Sequence, residues 1–281
     1  MANDIHWFPG HMNKALHEVE EKVKIVDVVI EIFDARAPQS SINEHLEKAI
    51  KHKKKIYIFS KADLADPKQT ALWKKHFANE DTEVLVVNLN DKNSFNLISS
   101  AVIRLGKSKW DKEMARGMKP QPIRTMIIGI PNVGKSSLIN LLAKRKAAGV
   151  QNKPGYTRGE QWIRVNKDYL LLDTPGILPM SYENKEKAAK LALIGSIREE
   201  ILPKSDLVSY LLDFLKVHYP SALEARFDIK EIGEYKVVVE AVAKKRQLLR
   251  SEGQLDLDKA ESLLLKEFKD GLLGNITLEW L

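Results

Sequence analysis

The chain has no cysteine among its 281 residues. Disulfides and thiolate metal sites are excluded, and a reducing compartment, the cytoplasm, is expected. No apolar run is long enough to span a bilayer. The opening MANDIHWFPGHM lacks a basic stretch followed by an apolar one, so no secretory leader is expected. Neither terminus carries an amphipathic face for a membrane surface, and no membrane partner is expected. No repeat of solenoid length is visible. What is present is 44% hydrophobic residues, 30% charged residues and a net charge of +7. The length suits one large domain or two modest ones, with ample chain for a core. The positive balance fits a plainly soluble protein or one that binds an anionic polymer, and only the distribution of charge can decide.

Short β-branched runs bounded by polar residues read as buried strands at 26–33, 55–59 and 84–87. Helical spacing lies between them at 41–53 and 66–79, the second opening with the cap-and-proline pair Asp66-Pro67. Alternation of this kind predicts a largely parallel sheet covered on both faces. Residues 104–124 read as a basic helix end followed by an extended connector containing Pro120 and Pro122. The α/β pattern resumes with a strand at 124–130, a helix at 135–143, a strand at 169–173 and an alternating run at 161–165 hairpinned onto it. After about residue 181 helical patterns dominate, at 184–200, 206–216, 234–250 and 257–270, which predicts a separate helical domain.

Gly129-Ile130-Pro131-Asn132-Val133-Gly134-Lys135-Ser136 matches G-x-x-x-x-G-K-S/T, between a predicted strand and a predicted helix. In such a loop the backbone N–H groups of Asn132, Val133, Gly134, Lys135, Ser136 and Ser137 turn toward phosphate oxygens at a helix N-terminus. Lys135 neutralises phosphate charge and Ser136 offers its hydroxyl to Mg²⁺. A chance glycine-rich turn is the plain alternative, and the flanking elements argue against it. Asp173-Thr174-Pro175-Gly176 ends the next main strand, where Asp173 can hold Mg²⁺ and the Gly176 N–H can meet a γ-phosphate. The loop 152–159 between them carries Thr157, either a ligand for Mg²⁺ and the γ-phosphate or a solvated loop residue.

A phosphate loop does not select a base. Ser60-Lys61-Ala62-Asp63 follows the strand at 55–59 and resembles the N-K-x-D motif of GTPases. Asp63 would accept from the guanine N1–H and 2-amino group, and the Lys61 stem would lie along the ring. Ser60 replaces the usual asparagine and is shorter, so weaker guanine binding is expected. Read alone, the tetrad is no more than a helix cap after a strand. Its place before the phosphate loop, not after it, resembles the circularly permuted GTPases. Phe8-Pro9-Gly10-His11-Met12, Asp34-Ala35-Arg36-Ala37-Pro38, the phosphate loop, Lys153-Pro154-Gly155-Tyr156-Thr157 and Asp173-Thr174-Pro175-Gly176-Ile177, in this order, resemble the RbgA/YlqF family over essentially the whole chain. The loop Asn88-Leu89-Asn90-Asp91 departs from the family's small Ser/Ala base contact, and no role is carried over to it.

This resemblance implies an α/β fold: a circularly permuted P-loop GTPase domain, residues 1–180, followed by a mostly α-helical RNA-binding domain, residues 181–281. It implies GTP and GDP as ligands and a role in late maturation of the large (50S) bacterial ribosomal subunit, with the precursor and its rRNA as partners. A monomer is expected. Ile177 stands where many GTPases have a water-orienting glutamine, and the resemblance points instead to His11. The alternative for His11 is a surface or ribosome-contacting residue. Asn132 matches GTPases that use K⁺ beside the phosphates.

Basic clusters at 51–55, 144–146 and 104–124, and Lys244, Lys245, Arg246 and Arg250 on the expected helix 234–250, together favour an RNA surface, although each alone is compatible with a solvated face. On that helix Val237, Val238, Ala241, Val242, Leu248 and Leu249 are expected to face inward. Trp7, Trp110 and Trp162 are candidates for base stacking, with core burial the alternative, above all for Trp162. Two other functions remain open: a P-loop ATPase, suggested by Ser60, and an RNA-binding scaffold with a structural nucleotide, suggested by Ile177.

Overall fold

A computed structural model describes residues 5–6, 9–143, 162–172, 181–182, 184–251 and 253–281, with side chains for 14, 16–143, 162–172, 184–251 and 253–281. Strands and helices alternate in the first part: β1 (Ile5–His6), α1 (Pro9–Ile25), β2 (Val28–Asp34), α2 (Glu44–Ile50), β3 (Lys54–Ser60), α3 (Pro67–Phe77), β4 (Thr82–Val86), α4 (Asn93–Ala115), β5 (Ile123–Ile128), α5 (Lys135–Ala143), β6 (Trp162–Arg164), β7 (Tyr169–Leu172) and β8 (Ser181–Tyr182). The rest is helical: α6 (Lys185–Leu193), a 3₁₀ turn (Glu199–Ile201), α7 (Lys204–His218), α8 (Glu224–Phe227), α9 (Tyr235–Lys245) and α10 (Leu257–Lys269). No helix among the described residues is long and apolar enough to cross a membrane.

Six strands form one sheet in the order β4-β3-β2-β5-β7-β6, all neighbours parallel except β6, which runs antiparallel to β7. β1 and β8 make a separate antiparallel pair. Alternate residues of β2 face opposite layers, as strand geometry requires. Val28, Ile30 and Ile32 pack with Phe95, Ile98 and Val102 of α4 and with Leu138 and Leu142 of α5. Val29 packs with Leu16, Val19 and Val23 of α1 and with Leu46 and Ile50 of α2, and Phe33 packs near Trp73 of α3. Both faces are covered, so β2 is buried along its whole length. The core on the α4/α5 side continues without a break into Leu191, Leu207, Leu211, Val242, Leu264 and Leu278, so the helical part shares it.

Several elements are shorter than their periodicity predicts. The helix expected at 41–53 is only Glu44–Ile50, because Asn43 caps it, its side chain accepting from the His45 N–H at 3.1 Å. The helix expected at 184–200 stops at Leu193, where Gly195 turns left-handed (φ +76°) and the Ser196 N–H reaches back to Leu191 O. The helix expected at 234–250 ends at Lys245, so Arg246 and Arg250 lie beyond it. Leu249 instead bridges to Leu255 in a short turn, and it and Val237 are exposed. The inward face of α9 is Val238, Val239, Val242 and Ala243, turned from the expected one. Arg246 does not point to solvent phosphate. It pairs with Glu267, beside Arg226, and lies over the Phe227 ring. The helices α1 and α8 carried no clear signal in the pattern.

One buried charge site breaks the apolar layer beneath α2. Glu31 of β2 is fully buried, and its oxygens meet no hydrogen-bond donor among the described residues. Burial, then the neighbouring Glu47 carboxylate, pushes the Glu31 pKa well above the usual range. Burial also opposes ionisation of Glu47, but Glu31, the Tyr57 hydroxyl (2.5 Å) and Lys55 (3.3 Å) more than offset it. The folded chain thus retains a proton on Glu31 that the unfolded chain loses above the ordinary glutamate pKa. Stability therefore falls as pH rises through that window. Glu31→Gln is expected to unfold at a higher temperature than the unaltered chain at pH 8, by about 2–4 °C per kcal/mol recovered, and at a similar one at pH 4.5. Parallel melting curves across that pH range would show that Glu31 is already ionised.

Candidate functional site

The chain moves outward from β2 through β3 to β4 on one side and from β5 to β7 on the other. The direction reverses between β2 and β5, and in open parallel sheets the ligand crevice lies at the carboxyl end of that switch point. Three segments named from the sequence border it: 129–136 after β5, 34–38 from the end of β2 and 60–63 from the end of β3. β3 and β5 flank β2, which sets their axes about 10 Å apart.

The phosphate loop approaches the sheet closely. A Cβ on Gly129 would stand 2.7 Å from the Ile32 carbonyl oxygen, so only glycine fits there. Asn132 is left-handed (φ +61°), and its amide donates to the Gly195 carbonyl at 2.8 Å, beyond α6. The Lys135 ammonium folds back onto Ile130 O at 2.9 Å. Ser136 and Ser137 are exposed in the first turn of α5, where N–H groups are left for an anion. Leu89 lies 2.9 Å from where a Cβ on Gly134 would sit, so the loop 88–91 flanks the phosphate loop.

Ser60 is fully buried and ties these loops together. Its Oγ lies 2.6 Å from Val133 O and 2.8 Å from Phe33 O. The shorter side chain therefore still reaches across to the phosphate loop, and its contacts are with protein carbonyls. Asp63 does not cap the following helix. That role belongs to Asp66, which accepts from the N–H groups of Lys68 and Gln69, and the Asp63 side chain stays exposed.

Asp34 forms a charged hub. It is buried, receives Arg36 through two guanidinium nitrogens at 2.9 and 2.8 Å, and pairs with the Lys61 ammonium at 3.0 Å. Burial alone would raise its pKa, but Arg36 and Lys61 overcome this and hold the carboxyl below its usual range. Lys61 is left-handed (φ +54°), and this pair fixes where its stem can lie. Arg36 also donates to Ile194 O and Lys269 O, at the ends of α6 and α10, both at 3.2 Å. The Asp34-Ala35-Arg36 segment was visible in the sequence, but nothing there told what it holds.

Thr157, Asp173, Gly176, Ile177, Trp7 and the cluster 144–146 lie outside the described residues, as does the side chain of His11, whose backbone is in the first turn of α1. Among the described residues no cluster of three His, Asp or Glu could hold a metal. Trp110 donates to Gln121 O, and Trp162 packs on the α1/α2 side of the sheet with Arg124 over its ring.

A family model described as 50S ribosome-binding GTPase matches residues 124–247, from β5 through α9. Ribosome biogenesis GTPase A of Bacillus cereus is 42% identical over 276 residues, which is 98% of this chain and 93% of the relative. The chain belongs to the ribosome biogenesis GTPase A family. A solved GDP-bound YlqF aligns with a TM-score of 0.66 and 26% identity over 94% of this chain and 98% of that one. A GNP-bound YlqF from T. maritima aligns at 0.65 and 25%, over 95% and 98%. The fold is that of a permuted P-loop GTPase followed by a helical region.

Asp34→Asn would leave the Arg36 guanidinium, 2% exposed, without its carboxylate. A loss of about 3–5 kcal/mol in urea unfolding at pH 7 is expected. Because the folded pKa of Asp34 is lowered, the advantage of the unaltered chain should be complete above the ordinary aspartate range. It should shrink as pH falls through the lowered value. A loss under 1 kcal/mol at pH 7 would mean that Arg36 is served elsewhere.

Proposed function

We propose that this chain is a cytoplasmic, monomeric GTPase that binds GTP with Mg²⁺ in the crevice between β2 and β5. It hydrolyses the γ-phosphate and uses the nucleotide state to control its hold on the 50S subunit precursor, late in assembly. The observation that carries the reading is the 2.6 Å approach of Ser60 Oγ to Val133 O. It holds Ser60, at the start of the base motif, against the phosphate loop far downstream in the chain, which supports one nucleotide spanning both.

In this reading Asp63 accepts from guanine N1–H and the 2-amino group, a pattern adenine cannot supply. Lys61 lies along the ring. The N–H groups of residues 132–137 receive the phosphates, together with Lys135 and the Gly176 N–H. Ser136, Thr157 and Asp173 are hard oxygen donors of the kind that suit Mg²⁺, which supplies charge neutralisation at the phosphates. Lys135 must leave Ile130 O to reach the phosphates. His11 orients the attacking water in place of the glutamine that Ile177 lacks. Asn132 spends its amide N–H on Gly195, and its Oδ1 is the atom K⁺ would use.

Residues 1–180 act as the nucleotide domain and 181–281 as the RNA-binding one. Contacts of Asn132 with Gly195, and of Arg36 with Ile194 and Lys269, give the nucleotide a direct route to the helices. A route becomes a switch only if the two nucleotide states favour different arrangements. Two basic clusters distant in sequence also meet at the opposite pole of the sheet. Lys53, Lys54, Lys109, Lys112 and Arg116 line a groove of about 400 Å³ with Asp27 and Glu113. This excess of cations favours phosphate backbone as the partner.

GTP turnover measured with and without purified 50S precursors tests the proposal. Stimulation by the precursor is expected, with Lys135→Ala losing nucleotide binding and His11→Ala keeping it while losing turnover about 10²-fold or more. Equal turnover of His11→Ala would remove His11 from the mechanism. ATP displacing bound GTP at equal concentration would overturn the guanine reading. In pelleting assays GTP should favour precursor binding over GDP, and equal binding would sink the switch. Lys112→Ala with Arg116→Ala should lower the salt slope of RNA binding by about one to two. An unchanged slope would clear that groove of RNA.

A further inference from the structure

After α10 the chain returns to the nucleotide end of the sheet. Three successive residues there bond the backbone of the base loop. Asn275 Nδ2 donates to Asp63 O at 3.1 Å and to Ala65 O at 3.2 Å. The Ile276 N–H donates to Leu64 O at 3.1 Å, and Thr277 Oγ1 accepts from the Asp66 N–H at 3.0 Å. The next two residues bond the loop after β2. The Leu278 N–H donates to Arg36 O at 2.7 Å, and the Glu279 carboxylate accepts from the N–H groups of Gln39 (2.6 Å) and Ser40 (3.0 Å). Trp73 Nε1 closes the set on Glu279 O at 2.9 Å. Ile276, Thr277, Leu278 and Glu279 are all buried.

Ser60 and Lys61 are anchored on Val133, Phe33 and Asp34, and the Asp66 carboxylate on Tyr219, but without this segment the backbone of 62–65 between them has only short-range turns, Leu64 N–H to Lys61 O and Ala65 N–H to Ala62 O. A two-point contact from one carboxylate to N1–H and the 2-amino group needs both distance and tilt to be held. A loop anchored at its ends and held in the middle by local turns alone can keep the first contact and lose the second.

We propose that residues 275–279 belong to the guanine-recognition site, as a clamp that sets the tilt of the Asp63 carboxylate. Asn275 and Thr277 are its positioning residues. The inference rests on Asp63 reading guanine, as argued above. It adds that base selectivity is held from the far end of the helical region. By linkage, guanine binding then tightens the docking of that end by the same factor that docking tightens guanine binding.

The test compares affinities for GDP and IDP, which lacks the 2-amino group, in the full chain and in the near-isosteric variant Asn275→Leu/Thr277→Val. The ratio of the two affinities is the readout, because a lower folded fraction would weaken both equally. The ratio is expected to fall roughly three- to tenfold, the scale of one or two hydrogen bonds. An unchanged ratio in a variant with unaltered circular dichroism overturns the clamp alone. Absence of any GDP preference in the unaltered chain overturns both the clamp and the reading of Asp63. Should the double variant not fold, hydrogen exchange of the unaltered chain decides. GDP should slow the amides of Ile276 and Leu278 together with those of 61–66, and protection confined to 61–66 overturns the proposal.

Discussion

A buried carboxylate with two cations on it organises this molecule. Asp34 sits at the end of the central strand, removed from water, and such a charge persists only when paired and hydrogen-bonded. Arg36 supplies one partner and extends past it to carbonyls at the ends of α6 and α10. Lys61 supplies the other and belongs to the base loop. The phosphate loop lies against the same strand, with Gly129 on Ile32 O. The ion pair therefore links the base loop and the helical region to the strand on which the phosphate loop rests.

That linkage bears on how a permuted chain can work as one unit. Permutation cuts the nucleotide-binding sheet at a new place and leaves its order in space intact. It puts the helical region directly downstream of the phosphate machinery. The described contacts are denser than that connection alone requires. They include Asn132 to Gly195, Lys187 to Ile42 O and the whole of 275–279 on two loops. One contiguous apolar core runs through both parts. Helices packed this way move as bodies more readily than they deform, because dense cores have few intermediate arrangements.

The two ends of the sheet differ in chemistry. The carboxyl ends of the strands hold loops with glycine, serine and exposed N–H groups, which suit a small anionic ligand. The opposite pole holds lysines and an arginine from α4 and from the turn before β3, which suits an extended one. The two sets of groups are separate, so neither draws on the cations of the other.

Short-range chemistry in the chain was enough to place the six strands of the main sheet, the turn at 129–136 between β5 and α5 and the cap at Asp66, because each rests on residues adjacent in sequence. Helix ends were harder. Apolar spacing continues past Leu193 and Lys245, while a left-handed turn, unseen by any periodicity, ends each helix there. Three things needed the fold itself. Ser60 had to be seen beside Val133 before its small size made sense. Arg36 had to be seen between Asp34 and two helix ends. Asn275–Glu279 had to be seen against the base loop, since bonds to the backbone of a loop some two hundred residues away leave no signature in side-chain pattern. Sequence alone determined the candidates for touching a nucleotide. Tertiary structure decided what holds those groups in place, because most of that work is done by long-range hydrogen bonds to backbone atoms, which every residue possesses.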